Sequence, residues 1–168
     1  MISVKIVDGL YCGDAEYWEA HKDEFEYIIH ACKEPYHRRA LGYTGRGAPK
    51  DNPEYLIAYR GKDLILNLVD ADNPLYIPPI IMSEAVRFIM LHNKNGEKVF
   101  VHCNEGKSRA PGIVLYYLML EKTIYEFTYE DTVAEFKKVY PLFEPGKGID
   151  GFLRERHAEE IFEISADM

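Results

Sequence analysis

The sequence predicts an α/β fold, in which helices flank a central, mostly parallel sheet. Strand-like and helix-like segments alternate along the chain, which is the pattern of parallel strands joined by helical crossovers. One buried strand, KVFVH at residues 98–102, leads through a tight loop directly into an apolar helix. The length of 168 residues suits a single hydrophobic core, so we expect residues 1–168 to form one domain.

The first half of the chain is predicted to supply short strands at residues 4–7, 10–12, 27–31, 55–59 and 64–68. Asp8 and Gly9 form a turn pair between the first two strands, and Asp14 is the predicted N-cap of a short helix that reaches about His21. Residues 33–52 are rich in glycine, proline and charge without a clear period, which predicts a long loop. The last two strands flank Arg-Gly-Lys-Asp and form either a hairpin or two separate sheet strands.

The second half of the chain is predicted to contain helices at residues 78–93, 110–120, 128–140 and 150–164. Pro78 and Pro79 suit the first turn of a helix, where a missing N–H is tolerated. Thr128 followed by Asp131 is an acidic variant of the capping box, and Pro141 marks the end of that helix.

The composition limits the partners and the compartment of the protein. The net charge of -8 opposes nonspecific binding to nucleic acid and stable association with anionic membranes. No apolar run approaches about 18 residues, and the N-terminus has no charged leader followed by an apolar stretch. Three cysteines are too few, and odd in number, for a disulfide framework. The sequence therefore predicts a reduced, cytoplasmic protein that captures any anionic substrate at a local positive site.

The loop from Cys103 to Arg109, CNEGKSR, is the most informative segment of the chain. A tight loop at the N-terminus of a helix turns its backbone N–H groups inward and forms a cradle for an anion. Gly106 permits backbone conformations that other residues resist, and Arg109 can hold two phosphate oxygens in a bidentate fork. The predicted phosphate-binding residues are Asn104, Glu105, Gly106, Lys107, Ser108 and Arg109.

Cys103 is the predicted nucleophile at the floor of this cradle. The inward N–H groups, the helix dipole and Arg109 stabilise a thiolate, which can displace an alkoxide from phosphorus to give a phosphocysteine. The alternative is a plain core cysteine at the end of a strand. The coincidence of His102, Gly106 and the flanking strand and helix with this spacing favours catalysis. We expect His102 to fix the loop by hydrogen bonding.

The segment VFVHCNEGKSRAPGIVLYYLM resembles the signature of the protein tyrosine phosphatase superfamily, and the chain as a whole resembles its dual-specificity branch. VDGLYCGDAEYW is similar to the N-terminal strand pair and helix of that branch, and NLVDADNPLYI is similar to its general-acid loop. FTYEDTVAEFKKVYPLFEPGKGIDGFLRE is similar to its C-terminal helices. Residues 33–61 are the part of the chain that the resemblance does not cover.

The resemblance implies a phosphatase catalytic domain over residues 1–168 that acts on a phosphorylated protein. The expected reaction is hydrolysis of phosphotyrosine monoesters through a phosphocysteine, with phosphoserine and phosphothreonine as further candidate substrates. It requires no cofactor and no metal. The alternatives are a phosphoinositide or RNA 5′-phosphatase of the same superfamily, or a phosphate-binding module with slow turnover. A rhodanese-like sulfur transferase is disfavoured, because the resemblance extends well beyond the loop.

The leaving oxygen needs a proton, because an alkoxide is a poor leaving group. The candidate acids are Asp70 and Asp72, in the sequence VDADNP that follows an apolar strand. The resemblance favours Asp72, whose spacing to the segment EAVRFI fits the acid of the family. The same carboxylate then deprotonates the water that cleaves the phosphocysteine. The alternative is that both are solvated loop carboxylates without a catalytic role.

Ala110 departs from the family pattern, in which serine or threonine follows the arginine of the loop. That hydroxyl assists loss of the thiolate from the phosphoenzyme, so its absence predicts slower turnover. Ser108 is a candidate substitute, although the sequence does not indicate the direction of its side chain.

The region that begins at YIIHACKEPYH contains two further sets of candidates. This stretch resembles part of a phosphoinositide phosphatase in which a cysteine pairs with the nucleophile, so Cys32 is a candidate redox partner of Cys103. A plain buried cysteine is the simpler interpretation. A basic rim around the cradle is a further candidate, against the simpler interpretation of a solvated polar loop. Its members would be Arg38, Arg39 and Arg46, in addition to Lys107, which adds positive charge near the cradle.

Overall fold

Six strands form one sheet in the computed structural model, which describes the backbone of residues 1–167 and the side chains of residues 1–160. The strands are β1 (Ser3–Val7), β2 (Leu10–Asp14), β3 (Tyr27–His30), β4 (Ile57–Arg60), β5 (Asp63–Leu66) and β6 (Val99–Cys103). Their order across the sheet is β1-β2-β6-β3-β5-β4. The four central strands run parallel, and β1 and β4 pair antiparallel at the two edges. The predicted α/β fold with a mostly parallel sheet is confirmed, and the strands β4 and β5 form the hairpin that was one of the two alternatives.

The helices surround this sheet, and all except the second along the chain lie close to the predicted positions. They are α1 (Ala15–Ala20), α2 (Arg38–Leu41), α3 (Pro79–Lys94), α4 (Arg109–Leu120), α5 (Tyr129–Val139) and α6 (Lys147–Asp167). Both predicted caps are present: Asp14 Oδ1 accepts from the N–H of Tyr17 at 2.9 Å, and Thr128 Oγ1 accepts from the N–H of Asp131 at 3.0 Å. The last helix begins earlier than predicted, at Lys147, and Met168 lies outside the described residues.

The prediction of a long loop over residues 33–52 is wrong at its beginning. A π-helical turn over Lys33–His37 leads directly into α2, which ends at Gly42 with a left-handed φ of 76°. His37 anchors the segment from within, because its Nε2–H donates to the carbonyl of Glu54 at 2.9 Å and its Nδ1 accepts from the Tyr43 hydroxyl at 3.0 Å. A polar anchor of this kind leaves no hydrophobic period, so pattern analysis does not detect it.

The strand β6 lies at the centre of the sheet and divides its side chains between two apolar clusters. Val99, Val101 and Cys103 belong to the larger cluster, which includes buried side chains of α3, α4, α5 and α6. Phe100 belongs to a smaller cluster on the opposite face, together with Trp18. Because side chains alternate along a strand, His102 faces the smaller cluster and Cys103 the larger one.

The register of the parallel strands determines which groups surround the end of β6. Asp14 lies opposite Cys103 on β2, and His30 lies opposite His102 on β3. The carboxyl ends of parallel strands open on one edge of a sheet, which is the usual place of a ligand site in such folds. Within the described part of the chain, no helix is both long enough and apolar enough to cross a bilayer.

Candidate active site

A cavity of about 570 Å³ opens beyond the carboxyl end of β6. Its lining residues are Asp70, Cys103, Asn104, Glu105, Lys107, Ser108, Arg109, Glu144, Pro145 and Gly146. It therefore brings together the predicted nucleophile, most of the predicted phosphate-binding loop, and two segments that lie far from this loop in the sequence.

Gly106 gives the loop its shape. Its φ of 72° lies in the left-handed region, and a Cβ there would come within 3.0 Å of the carbonyl group of Gly13. The hydroxyl of Tyr140, which is fully buried, donates to the carbonyl of Gly106 at 2.6 Å. The loop is thus clamped between β2 and the end of α5, and only glycine fits at its centre.

Cys103 lies at the floor of the cavity with 2% of its surface exposed. Arg109 is the first residue of α4, and its guanidinium is held at two points: Nη1 donates to the carbonyl of Leu68 at 3.0 Å and Nη2 to Asn104 Oδ1 at 2.7 Å. A guanidinium has five N–H donors, so others are left for an anion in the cavity. Asn104 is itself anchored, because its Nδ2 donates to the carbonyl of Glu34 at 2.9 Å.

The two candidate acids have different environments. Asp70 lines the cavity, and its Oδ1 accepts from the Ser108 hydroxyl at 2.9 Å. Asp72 is exposed and is not among the described residues that line the cavity. The chain between them is pinned against the start of α6, where the N–H of Gly148 donates to the carbonyl of Ala71 at 2.9 Å. Asp70 is thus the one of the two carboxylates that lines the cavity with Cys103, whereas the resemblance predicts Asp72 as the acid.

Ser108, whose direction the sequence left open, is turned toward Asp70. It is 5% exposed, and besides donating to Asp70 its oxygen accepts from the N–H of Gly146 at 2.8 Å. Ala110 is fully buried behind the loop and brings no hydroxyl to it. The Ser108 hydroxyl therefore links the loop to the segment that contains Asp70 and to the segment before α6, which contains Gly146.

His102 holds the base of the loop. Its Nδ1 lies 3.2 Å from the carbonyl oxygen of Cys103, and its Nε2 lies 2.6 Å from Nδ1 of His30. Burial, together with the neighbouring His30, keeps the pKa of His102 well below its ordinary value. This arrangement agrees with the predicted role of His102, but the sequence analysis did not identify His30 as its partner.

Both of the other cysteines are free, fully buried and close to Cys103. Burial raises the pKa of Cys32, with a further contribution from the charge of Cys103, whereas Arg109 opposes the shift. Burial also raises the pKa of Cys12, again with a contribution from Cys103. Cys32 remains a predicted redox partner, and Cys12 is a second buried thiol on the other neighbouring strand.

Arg38, Arg39 and Arg46, the predicted basic rim, are not among the described residues that line the cavity. Arg38 pairs with Glu34 at 2.8 Å, and Arg39 lines a different cavity. The charged residues around the catalytic cavity are instead Asp70, Glu105, Lys107, Arg109 and Glu144. The sequence analysis missed Glu144, whose N–H donates to the carbonyl of Lys107 at 2.8 Å, because nothing in its local pattern marks its proximity to the loop.

Comparison with known proteins adds an independent observation. The family model for the dual specificity phosphatase catalytic domain matches residues 66–156, more than half of the 168 residues. The dual specificity protein phosphatase PHS1 of Arabidopsis thaliana is 39% identical over 74 residues. That match covers 44% of this chain and 7% of PHS1, so the chain spans a small part of the length of that relative.

Solved structures show the same fold at low identity. Human DUSP28 superposes with a TM-score of 0.66 at 14% identity, covering 94% of this chain and 93% of DUSP28. PTPMT1 in complex with PI(5)P superposes with a TM-score of 0.63 at 17% identity, covering 97% and 98% of the two chains. The family match contains the loop from Cys103 to Arg109 and the segment with Asp70 and Asp72. The protein therefore belongs to the dual-specificity phosphatase family, a branch of the protein tyrosine phosphatase superfamily.

Proposed function

We propose that this protein is a dual-specificity-type protein phosphatase that hydrolyses phosphotyrosine, phosphoserine and phosphothreonine monoesters through a phosphocysteine at Cys103. The observation that carries the proposal is the position of Cys103, which is 2% exposed at the floor of a cavity whose wall includes Arg109. A group that enters this cavity meets the sulfur, the guanidinium and the loop N–H groups together. The proposed catalytic domain spans residues 1–168. Its net charge of -8 and three free cysteines support a cytoplasmic location.

The reaction has two steps. In the first, the Cys103 thiolate attacks phosphorus, the bond to the leaving oxygen breaks, and a carboxylic acid donates its proton to that oxygen. In the second, the same carboxylate takes a proton from water, the water oxygen attacks phosphorus, and the sulfur–phosphorus bond breaks to release phosphate and the thiolate. Arg109 and the loop N–H groups stabilise the charge on the phosphoryl oxygens in both steps.

We assign the acid and base role to Asp70. Sequence spacing favours Asp72, but Asp70 is the carboxylate that lines the cavity. The Ser108 hydroxyl holds Asp70 in place by donating to its Oδ1 at 2.9 Å. An acid must reach the leaving oxygen in the bound state, so position is the first criterion and sequence spacing the second.

The charges around the cavity favour a protein substrate over a polyphosphorylated one. Glu105 and Glu144 oppose Lys107 and Arg109, so a second phosphate beside the reacting one would meet carboxylates. Like charges a few ångströms apart disfavour binding, whereas lysine or arginine next to a phosphorylated side chain would be favourable. The bound PI(5)P belongs to PTPMT1, whose likeness to this chain is one of fold.

The test is a substrate panel measured as kcat/KM. It compares a phosphotyrosine peptide, a phosphothreonine peptide, soluble phosphoinositides and triphosphorylated RNA, with Cys103→Ser as the inactive control. We expect the phosphotyrosine peptide to be the best substrate and Cys103→Ser to be inactive while still binding phosphate analogues. A preference for phosphoinositide or RNA would overturn the substrate assignment. Tight binding of phosphopeptide without turnover would indicate a binding module instead.

The contribution of the acidic rim is tested by charge reversal. Glu144→Lys should shift the ratio of phosphoinositide to phosphopeptide kcat/KM toward phosphoinositide by a few-fold, because Glu144 is exposed and an exposed charge pair is worth at most about 1 kcal/mol. Glu155→Lys changes an exposed carboxylate on α6, away from the cavity, and serves as the matched control. An equal shift in both variants would show that net charge alone, and not Glu144, sets the preference.

A further inference from the structure

Four polar groups form a continuous chain behind the catalytic loop. Asp63 Oδ2 lies 2.9 Å from His30 Nε2, and His30 Nδ1 lies 2.6 Å from His102 Nε2. His102 Nδ1 lies 3.2 Å from the carbonyl oxygen of Cys103. The two rings are almost inaccessible, with 3% of His30 and none of His102 exposed. The chain thus runs from the start of β5, through two buried imidazoles, to the peptide group of the nucleophile.

The partners at the two ends determine where the protons lie. The carbonyl of Cys103 can only accept, so His102 carries a proton on Nδ1 in order to donate to it. A neutral His102 then has an unprotonated Nε2, and the proton in the 2.6 Å contact belongs to His30 Nδ1. The carboxylate of Asp63 also only accepts, so His30 Nε2 is protonated as well. Both ring nitrogens of His30 thus face an acceptor, which is the arrangement of an imidazolium paired with the carboxylate of Asp63.

The surroundings of His30 suit a buried cation. The ring of Tyr36 stacks on the imidazole with centroids 4.7 Å apart, and the ring of Trp18 lies nearly perpendicular to it with centroids 5.5 Å apart. A cation against the face of an aromatic ring, as in the stack with Tyr36, is stabilised by the ring. Burial and the neighbouring His30 keep the pKa of His102 low, so a positive charge shared by the two rings is more favourable on His30 than on His102.

His30 and Asp63 form part of the wall of a second cavity, of about 530 Å³, that lies apart from the catalytic one. The other titratable or charged groups that face this cavity are Glu19, Lys22, Tyr36, Arg39 and Arg60. Glu19 pairs with Lys22 at 3.1 Å, and Arg60 pairs with Glu54 at 2.6 Å. Asp63 is thus the carboxylate within hydrogen-bonding distance of His30, and it supplies the negative charge that an imidazolium at this position would face.

We propose that His30 is a positioning residue for the phosphatase reaction, an imidazolium that sets the tautomer of His102 and thereby holds the carbonyl of Cys103. The inference rests on the proposed role of Cys103 as nucleophile. A carbonyl held from behind keeps the first peptide of the loop oriented, so that the following N–H groups stay directed at the anion. The positive charge of His30 also favours the thiolate over the thiol at Cys103.

The protonation states are tested without any substrate. Long-range proton–nitrogen NMR spectra of the wild-type protein at about pH 7 should show both ring nitrogens of His30 protonated and only Nδ1 of His102 protonated. Asp63→Asn should convert His30 to a neutral ring. A neutral His30 in the wild type, with His102 protonated on Nε2, would overturn the proposal, and this result does not depend on whether the protein is a phosphatase.

The consequence for the nucleophile is tested by alkylation of Cys103 with iodoacetamide as a function of pH. His30→Asn keeps a donor near the position of Nδ1 but removes the charge, and His30→Phe removes both. The alkylation midpoint, which is the pH at which the rate of alkylation is half-maximal, should rise by about half a pH unit to one unit in both variants. In kcat/KM, His30→Phe should lose more than His30→Asn, about 10-fold against a few-fold, because only the former leaves the His102 ring unheld.

The control is His157→Gln, which replaces another buried histidine, on α6, whose Nε2 donates to the carbonyl of Glu126 at 2.8 Å. It should leave the alkylation midpoint unchanged. If His30→Phe does not fold, Asp63→Asn supplies the same measurement with the ring in place, and its midpoint should also rise. Alkylation midpoints equal to wild type in His30→Asn and Asp63→Asn would show that the hydrogen-bonded series of Asp63, His30 and His102 serves packing alone, and would overturn the proposal. Retained turnover in Cys103→Ser would instead overturn the proposed function.

Discussion

Asp70 and Asp72 are separated by one residue, yet only Asp70 lines the cavity with Cys103. A general acid contributes most when the leaving group is poor, because an activated phenolate leaves without a proton. Asp70→Asn should therefore reduce kcat/KM for an alkyl phosphate by about 10²- to 10⁴-fold while changing an activated aryl phosphate far less. Asp72→Asn is the matched control and should behave as wild type with both substrates. The reverse pattern would restore the assignment from sequence spacing.

Ala110 is the single position at which the loop lacks a hydroxyl that its family usually has. Ala110 is fully buried at the start of α4, and the nearby hydroxyl of Ser108 is engaged with Asp70 and Gly146. Loss of the thiolate from the phosphocysteine is therefore expected to limit turnover, and Ala110→Ser should raise kcat several-fold with little effect on the first step. Pre-steady-state kinetics decide this: the wild type should show a burst of alcohol release that shrinks in the variant. A wild type without a burst, and no gain in the variant, would contradict it.

At the scale of elements, the pairing of β3 with β6 brings a second thiol toward the nucleophile. The N–H of Ala31 donates to the carbonyl of His102 at 2.8 Å, and Cys32 is the next residue along the chain. A thiolate oxidises first to sulfenic acid, which a neighbouring thiol can capture as a disulfide. Mild peroxide should thus inactivate the wild type reversibly, with recovery on dithiothreitol and a Cys32–Cys103 cross-linked peptide in mass spectra.

Cys32→Ser should lose this protection and become irreversibly oxidised. Cys12 offers a matched control, because it is also buried and free. It lies on β2 opposite Val101, whereas the residue opposite Cys103 is Asp14. The two Cα atoms of a disulfide must lie within about 7 Å, which the offset of Cys12 disfavours. Cys12→Ser should therefore recover as wild type does. Equal recovery in all three proteins, without the cross-linked peptide, would return Cys32 to a purely structural role.

Whether an element could be predicted from the sequence depended on whether local or distant contacts form it. The caps at Asp14 and Thr128 were predicted because a cap is a local hydrogen bond between residues three apart. The segment from Lys33 to Leu41 was not, because its helical turns depend on His37, which reaches Glu54 on the other side of a long loop. Local chemistry can be read along the chain, whereas a distant polar anchor cannot.

At the scale of the whole molecule, His37 makes stability depend on pH. It is fully buried, and burial lowers its pKa from the ordinary value of 6.5. As the pH falls through about 6.5, the unfolded chain takes up a proton at this histidine before the folded protein does, so the free energy of unfolding falls until the pH is below the lowered pKa of the folded state. For one proton the loss is at most about 1.4 kcal/mol per pH unit. Carboxylates with lowered pKa values, such as Glu34 and Glu54, act only below about their ordinary value of 4.5.

Denaturant unfolding between about pH 7.5 and pH 5.5 measures this contribution. The comparison is with His37→Gln, which keeps an N–H near the position of Nε2 for the carbonyl of Glu54 but does not titrate. The wild type should lose stability faster than the variant over this range. Parallel curves for the two proteins would show that His37 is protonated equally in the folded and unfolded states.

The sequence by itself determined the family of this protein and the chemistry that we propose for it, through a cysteine, a central glycine and an arginine at a fixed spacing between a buried strand and a buried helix. Those features are local, and the physical demands of an anion cradle leave few other ways to satisfy them. Only the tertiary structure placed Asp70 and Glu144 at the cavity and Asp72 outside its lining, turned Ser108 toward Asp70 and joined His30 to His102. Each of these depends on where a loop is pinned or how two distant strands align. Those positions follow from packing over the whole molecule and leave no periodic trace in the chain.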